Sequence, residues 1–418
     1  MEPRPHLWAV TILALALTTG DCTQSTTASV APMAASPTYA GLASTPPMGF
    51  NGWNAFGCGV DARLIEQTAD ALVESGMRAA GYRSVNLDDC WMAPARDASG
   101  SLQADRTRFP HGIAALASYM HARGLQLGIY EDAGAHTCAW ALRLAVEPLV
   151  RLPGSYGHEN HDARTFASWG VDYLKYDWCD VPYGDFPGAT HQTVAKILYK
   201  RMRDALRATG RPIVFSMCNG WDPSVQPQTW ARSVSDLWRT TQDISDSYGS
   251  MVAIFHRNVG LGDASGPYGW NDPDMMEVGN GGMTIEEYRT HMTLWVILAA
   301  PLLVGNDPRT MTNDIKEILL NREVLAVDQD TLGKQGRRLI RNGAAEIWAK
   351  PLSEGAVAVA LFNRGASLAR ISVRWSELGL NGRYKARDLW NGADLPDATN
   401  SYSAEVPSHG SVLLRITK

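Results

Sequence analysis

The chain has 418 residues and a formal net charge of −5, with 45% of its residues hydrophobic and 19% charged. This size and composition predict a globular protein that can bury a large core and has room for two domains. Because acidic and basic residues are interspersed along the chain, we predict no basic face of the kind that binds nucleic acid.

The amino terminus has the pattern of a secretory signal. Basic side chains precede an apolar run at residues 7–17 that is too short to span a bilayer, which predicts a signal peptide at residues 1–22. We therefore expect an exported protein, periplasmic or extracellular, with no membrane span. Cys22 could carry a lipid, but Asp21 before it disfavours this. Residues 23–44 are rich in Ser, Thr, Ala and Pro and predict a flexible linker.

From residue 45 the sequence repeats one pattern: a short apolar segment, polar residues at its end, and then an amphipathic helical stretch. Eight such units over residues 45–332 predict an α/β fold, a (β/α)8 TIM barrel. The predicted strands cover residues 48–54, 84–91, 125–132, 170–179, 212–219, 234–243, 268–275 and 301–307.

The pattern changes at residue 333. Short apolar runs now alternate with turn signals such as Asn363-Arg364-Gly365 and Asn391-Gly392. No helical segment of useful length interrupts them. Residues 333–418 are therefore predicted to form a C-terminal antiparallel β-sandwich.

Ionisable and aromatic side chains collect at the ends of the predicted strands. In a barrel the carboxyl ends of the strands meet at one mouth, so these side chains should converge there. Helix caps and turns are the alternative explanation for any single Asp, but they would not favour that end so consistently. Many carboxylates, two basic residues and several rings suit a polyhydroxylated, neutral ligand. The residues are Trp53, Asp88, Asp89, Asp132, Lys175, Asp177, Arg239, Asp243, Asp272 and Asp274.

Other ligand classes fit this pattern less well. Asp88, Asp89 and Asp274 could hold a divalent metal, but basic residues among the acids argue against it. The sequence has no Cys-x-x-Cys pair and no glycine-rich phosphate loop. We therefore expect neither a metal nor a cofactor.

Two of the acids are candidates for catalysis of glycosidic-bond cleavage, which needs one ionised and one protonated carboxyl group. Asp177 lies two residues after Lys175, on the same face of its strand. A neighbouring ammonium group favours the ionised form, which suits a nucleophile. Asp243 follows Arg239 by four residues, and spacing alone supports its role as acid/base only weakly. The alternative for Lys175 and Asp177 is a structural ion pair.

Several motifs resemble those of glycoside hydrolase family 27, the α-galactosidases and α-N-acetylgalactosaminidases. The resemblance covers nearly all of residues 45–418, with the motifs in the family's order. They are Met48-Gly49-Phe50-Asn51-Gly52-Trp53-Asn54, Asp88-Asp89-Cys90-Trp91, Leu174-Lys175-Tyr176-Asp177, Trp238-Arg239-Thr240-Thr241-Gln242-Asp243, Trp270-Asn271-Asp272-Pro273-Asp274-Met275 and Ala300-Pro301-Leu302-Leu303-Val304-Gly305-Asn306-Asp307.

The resemblance implies an exo-glycosidase that removes terminal α-linked D-galactose from galactosides with retention of configuration. Asp177 would attack the anomeric carbon and form a covalent galactosyl-enzyme, and Asp243 would act first as acid and then as base. Their carboxyl groups would lie about 5–5.5 Å apart.

The resemblance also implies roles for the other residues. Asp88 and Asp89 would hold galactose O4 and O6; Lys175, Arg239 and Asp274 would bind the other hydroxyls, and Trp53 and Tyr130 would line the pocket. Cys58 would pair with Cys90 and Cys138 with Cys179. Cys218 would be a free thiol at the pocket wall, or equally a small buried hydrophobic residue.

Three alternatives remain open. Within the family these are α-N-acetylgalactosaminidase and β-L-arabinopyranosidase; relatives with the latter activity carry a longer acid at the Asp88–Asp89 pair. The third is a non-catalytic galactoside-binding protein, which would have no use for Asp177 and Asp243. The chain departs from the family at Asn219-Gly220-Trp221, which faces the sugar's 2-position, at Trp178, and at the insertion of residues 140–152, to which we assign no role.

Overall fold

The computed structural model describes residues 42–143, 150–219, 222–396, 398 and 400–418. The predicted signal peptide, Cys22 and nearly all of the predicted linker lie outside these residues, as do Gly220, Trp221 and the centre of the 140–152 insertion. Within the described part of the chain, no helix has the length and apolar character needed to cross a membrane.

The first part of the chain forms a parallel sheet whose first seven strands pair in sequence order. β1 also pairs with β8, and a parallel bridge between Met276 and Val304 joins the β7 side to β8, which closes the sheet. The prediction of a (β/α)8 barrel is therefore confirmed. The strands are β1 (Met48–Asn51), β2 (Ser84–Leu87), β3 (Gln126–Asp132), β4 (Tyr173–Asp177), β5 (Val214–Met217), β6 (Leu237–Arg239), β7 (Trp270–Asp272) and β8 (Leu302–Val304).

Helices connect and surround these strands. Their starts are encoded locally: the Asp61 side chain accepts a hydrogen bond from the Leu64 N–H at the start of α2, and Thr284 and Glu287 form a capping box at the start of α9. The helices are α1 (Trp53–Phe56), α2 (Ala62–Glu74), α3 (Met77–Ala80), α4 (Gly112–Ala122), α5 (Cys138–Ala141), α6 (Glu159–Trp169), α7 (His191–Ala208), α8 (Tyr248–Arg257), α9 (Ile285–Leu298), α10 (Asn313–Leu319) and α11 (Arg322–Asp328).

The rest of the chain forms two antiparallel sheets, one ordered β14-β13-β16-β11-β10-β9 and the other consisting of β12 and β15. The two sheets pack against each other through one apolar cluster. The larger sheet contributes Val359, Leu361 and Leu414, and the smaller sheet contributes Ile371 and Val373, so the predicted sandwich is confirmed. The strands are β9 (Arg337–Asn342), β10 (Ala345–Pro351), β11 (Val357–Asn363), β12 (Ala369–Arg374), β13 (Lys385–Asp388), β14 (Ala393–Asp394), β15 (Ser401–Val406) and β16 (Ser411–Thr417).

Helix α9 lies between the barrel and the sandwich, and residues on all its sides from Thr290 to Leu298 are buried. An all-round buried helix of this kind is expected where both faces are covered. The sandwich holds α9 through Lys350, whose ammonium group donates to the Val296 carbonyl over 3.1 Å. His291 on α9 is fully buried, and burial lowers its pKa to about 3, so it is neutral.

Gly128 on β3 shows how closely the barrel strands pack. A Cβ atom at this position would lie 1.9 Å from Oδ1 of Asn86 on β2 and 3.2 Å from the Asn86 Cα. A side chain here would therefore have to displace both the Asn86 side chain and its strand.

We predict that Gly128→Ala lowers the free energy of unfolding by about 1–3 kcal/mol, because it overpacks the barrel interior. Urea unfolding measures the change. Gly249→Ala is the matched control, since Gly249 lies in α8 with open space around it and alanine favours a helix. Equal stabilities of the two variants would contradict the packing argument.

Candidate active site

The loops at the carboxyl ends of the strands surround a pocket of about 330 Å³, called the mouth pocket below. All ten residues predicted to be catalytic or substrate-binding line it: Trp53, Asp88, Asp89, Tyr130, Lys175, Asp177, Cys218, Arg239, Asp243 and Asp274. Asp132 and Asp272 do not line it. Asp132 accepts backbone N–H groups of Gly134 and Cys179, and Asp272 accepts that of Asp274, so both shape the surrounding loops.

Lys175 forms its salt bridge with Asp88 and not with Asp177. The Lys175 ammonium lies 2.9 Å from Oδ2 of Asp88, and the same oxygen accepts a 2.7 Å hydrogen bond from the Asn51 amide. The bridge therefore joins β4 to the residue that follows β2. It fixes the Lys175 ammonium group at Asp88, in the pocket that Asp177 also lines.

Asp177 is a deeply placed carboxyl group, 8% exposed, at the end of β4. Its Oδ1 accepts a hydrogen bond from the Trp178 N–H over 3.0 Å. Burial raises the pKa of Asp177 to about 6, against the opposing effect of the Lys175 cation, and repulsion from Asp243 adds to the rise. The sequence predicted that Lys175 would make Asp177 easy to ionise. In the structure, the effect of burial on the pKa of Asp177 is larger than the effect of the lysine.

Asp243 lies at the rim of the pocket, and its side chain is 79% exposed. Arg239 contacts both Asp243, over 2.7 Å, and the buried Asp274, over 2.9 Å. The Arg239 guanidinium lowers the pKa of Asp243. In the unliganded protein the rim acid is thus the more readily ionised member of the pair.

Asp89 and Asp274 are buried carboxyl groups whose pKa burial raises to about 7. Backbone donors hold both: Asp89 accepts the N–H groups of Cys90 and Ala139, and Asp274 accepts those of Ile244 and Met275. The backbone of Asp274 has a φ of 101°, a strained value for a residue with a side chain. Clustered acids with perturbed pKa values and local strain are typical of a functional site.

Cys218 lines the pocket and is the only free thiol among the described cysteines. Its Sγ lies 3.6 Å from a guanidinium nitrogen of Arg239, and burial raises its pKa, so the thiol is neutral. Trp178 points away from the pocket: its indole N–H donates to the Tyr183 hydroxyl, and its ring stacks on Tyr199 at 5.1 Å. The unusual residue after Asp177 is therefore a packing residue.

Two disulfides brace the pocket rim. They join Cys58 to Cys90 and Cys138 to Cys179, the pairs that the family resemblance implies. The first links the loops after β1 and β2, and the second links the loop after β3 to the end of β4. Asp132 lies close to the second pair, but both sulfurs are committed to the disulfide and cannot bind a metal as thiolates.

Among the described residues, five more line the mouth pocket and were not predicted: Asn54, Leu142, Thr241, Gln242 and Met275. All except Leu142 lie inside the strand-end motifs, so their position in those motifs could have identified them. Leu142 follows α5 in the 140–152 insertion and is 60% exposed. Part of the insertion therefore forms one edge of the pocket.

The mouth of this barrel holds one deep carboxyl group and one at the rim, with a lysine and an arginine in salt bridges beside them. This arrangement is typical of a glycoside hydrolase. A family model described as Alpha galactosidase A matches residues 45–330, and one described as Alpha galactosidase C-terminal beta sandwich domain matches residues 342–416. The chain belongs to this family, glycoside hydrolase family 27.

Individual relatives agree with this assignment. The chain is 47% identical to an alpha-galactosidase of Cyamopsis tetragonoloba over 380 residues, 90% of this chain and 87% of the relative. It is 40% identical to an alpha-N-acetylgalactosaminidase of Gallus gallus, covering 84% and 88% of the two chains. The crystal structure of alpha-galactosidase I from Mortierella vinacea superposes with a TM-score of 0.82 at 37% identity, covering 90% and 98%.

The raised pKa of Asp89 makes a prediction about stability. The pKa of this carboxyl group is higher in the folded protein than in the unfolded chain, so the folded protein holds the proton up to a higher pH. The contribution of the group to the free energy of unfolding therefore falls as the pH rises through this range. We expect the stability of Asp89→Asn relative to the unmodified protein to increase by about 1–2 kcal/mol between pH 5.5 and pH 7.5.

Urea unfolding of both proteins at the two pH values provides the measurement. Because the comparison is a difference, titration of histidines and other acids common to both proteins cancels. A relative stability that does not depend on pH would show that Asp89 ionises normally in the folded protein.

Proposed function

We propose that the protein is an exported, retaining α-galactosidase that hydrolyses terminal α-linked D-galactose through a covalent galactosyl-enzyme. The observation that carries the proposal is the placement of Asp177 on the pocket floor and Asp243 at its rim, in one pocket whose other polar groups suit a neutral sugar. The names of the relatives support the choice of galactose. The two disulfides support an oxidising compartment outside the cytoplasm.

In the first step Asp177 attacks the anomeric carbon, and Asp243 protonates the departing oxygen. This needs the proton on Asp243, although Arg239 favours its ionised form in the unliganded protein. A bound galactoside covers the exposed Asp243 carboxyl group, removes water from it and so favours its protonated form. As Asp243 gives up the proton, Arg239 stabilises the charge that develops, which makes Asp243 a stronger acid.

In the second step Asp243 removes a proton from water, which attacks the galactosyl ester of Asp177. The base must be ionised, and the same Arg239 contact favours this form. Esterified Asp177 no longer carries charge, so its repulsion of Asp243 disappears. One arginine therefore assists both the acid and the base role of Asp243.

The remaining polar groups would hold the sugar. Asp88 and Asp89 follow β2 side by side, and we assign them to galactose O4 and O6, as in the family pattern. The salt bridge to Asp88 places the Lys175 ammonium where it can also donate to a hydroxyl. Arg239 and Asp274 form the opposite wall, and the half-buried Trp53 offers its ring to the apolar face of the sugar.

The family contains the strongest competing function, α-N-acetylgalactosaminidase, because a relative of that name is 40% identical. β-L-Arabinopyranosidase is disfavoured by the two aspartates at Asp88 and Asp89. A non-catalytic galactoside-binding protein would not need a floor and a rim carboxyl group in one pocket.

Kinetics on the 4-nitrophenyl glycosides of α-D-galactose, α-N-acetyl-D-galactosamine and β-L-arabinopyranose test the proposal. We expect kcat/KM to be at least about tenfold higher for the α-galactoside than for the other two. Asp177→Asn should lower it at least about a thousandfold, with an unchanged circular dichroism spectrum, because the nucleophile is lost. Preference for the acetamido substrate, or full turnover by Asp177→Asn, would contradict the proposal.

A further inference from the structure

A second cavity, an open groove of about 900 Å³, adjoins the mouth pocket; we call it the outer groove. The two cavities share Trp53, Asn54 and Asp243. The loops that follow β6, β7, β8 and β1 form the outer groove, and these four strands are neighbours around the barrel. The groove therefore leaves the mouth pocket on the side of Asp243.

This position identifies the part of a substrate that the groove can bind. A general acid must reach the glycosidic oxygen, so the leaving group attached to that oxygen lies beside the acid. Asp243 forms a wall of both cavities and its side chain is largely exposed. Resting on the α-galactosidase activity proposed above, we infer that the outer groove binds the aglycone, accepts neutral or cationic polyhydroxylated aglycones, and rejects anionic ones.

The acids of the groove carry the charge selectivity. Besides Asp243, the groove is lined by Asp246, Glu277 and Asp307. Asp307 is neutralised by Arg309 over 2.8 Å. In the described part of the chain, Asp246 and Glu277 form no salt bridge, so their charges act on whatever occupies the groove.

Hydrogen bonds hold both of these acids in place at the groove. Asp246 accepts the Gly282 N–H over 2.5 Å and the Tyr288 hydroxyl over 3.0 Å. Glu277 accepts hydrogen bonds from the side-chain amides of Asn54 and Asn280. Burial raises the pKa of Glu277, and these two donors oppose the rise. The groove thus holds two acidic side chains, fixed by their donors, beside the point where the leaving group departs.

The neutral groups of the groove suit further sugar units. The hydroxyls of Ser245 and Thr310 and the amide of Asn280 line it and can bond to aglycone hydroxyls. Phe56 and Trp53 supply ring surface on the same side. A polyhydroxylated aglycone therefore fits the lining chemistry.

Two substrates with open-chain aglycones test the inference: galactosyl-α-1,6-glucitol and galactosyl-α-1,6-gluconate. The first has a hydroxymethyl group at the aglycone position where the second has a carboxylate. We expect kcat/KM to be about tenfold higher for the glucitol compound at low salt, from like-charge repulsion. The ratio should fall towards one at an ionic strength of about 0.5 M. α-Galactosyl fluoride, which has no aglycone, reports the mouth pocket alone.

Asp246→Asn should reduce the glucitol-to-gluconate ratio by about threefold at low salt, because it removes an acidic groove side chain that no salt bridge offsets in the described part of the chain. Glu74→Gln is the charge-matched control; Glu74 ends α2 at the opposite end of the barrel, so the ratio should stay that of the unmodified protein. A ratio of one at low salt, or a ratio that Asp246→Asn does not change, would overturn the inference. Failure to hydrolyse α-galactosyl fluoride would instead contradict the proposed activity.

Discussion

The site depends on holding several carboxyl groups together in a buried place. Among the residues that the structure describes, only two cationic side chains line the pocket with them. Lys175 forms a salt bridge with Asp88, and Arg239 forms salt bridges with both Asp243 and Asp274. Burial raises the pKa of the deeper acids, whereas the arginine lowers that of the rim acid. The two acids proposed for catalysis therefore lie in different electrostatic environments within one pocket. In the unliganded protein these environments favour the ionised form of Asp243 over that of Asp177, so the proposed roles depend on the bound galactoside, which covers Asp243 and favours its protonated form.

The rest of the fold maintains this cluster. Strand-end loops supply backbone N–H donors to the acids, and two disulfides tie those loops together. The sandwich contributes no residue to the described lining of the mouth pocket, yet it supports the site through α9. Trp295 on that helix donates its indole N–H to the Asp274 carbonyl over 2.9 Å, and the sandwich covers the outer face of α9. The second domain thus helps to hold the strained backbone of Asp274.

Sequence reasoning predicted the barrel, the sandwich and the gathering of the strand-end residues, because strand and helix periodicity and the carboxyl-end rule depend on local pattern. It did not find that Lys175 pairs with Asp88, since contacts between strands depend on register. It expected Asp177 to ionise easily, whereas depth of burial sets its pKa and cannot be judged from spacing. The strands are also shorter than predicted, because their polar end motifs form loops. Asp246 and Glu277 lie in such loops and follow no pattern that would have identified them.

The central claim is that Asp177 is the nucleophile and Asp243 the acid/base. Replacing each in turn by glycine and supplying azide with α-galactosyl fluoride tests it most directly, with the anomer of the galactosyl azide read by proton NMR. Without the nucleophile, azide displaces fluoride directly and gives the β-azide; without the acid/base, azide attacks the covalent intermediate and gives the α-azide. We predict β-azide from Asp177→Gly and α-azide from Asp243→Gly. The reverse pair of products would contradict the account.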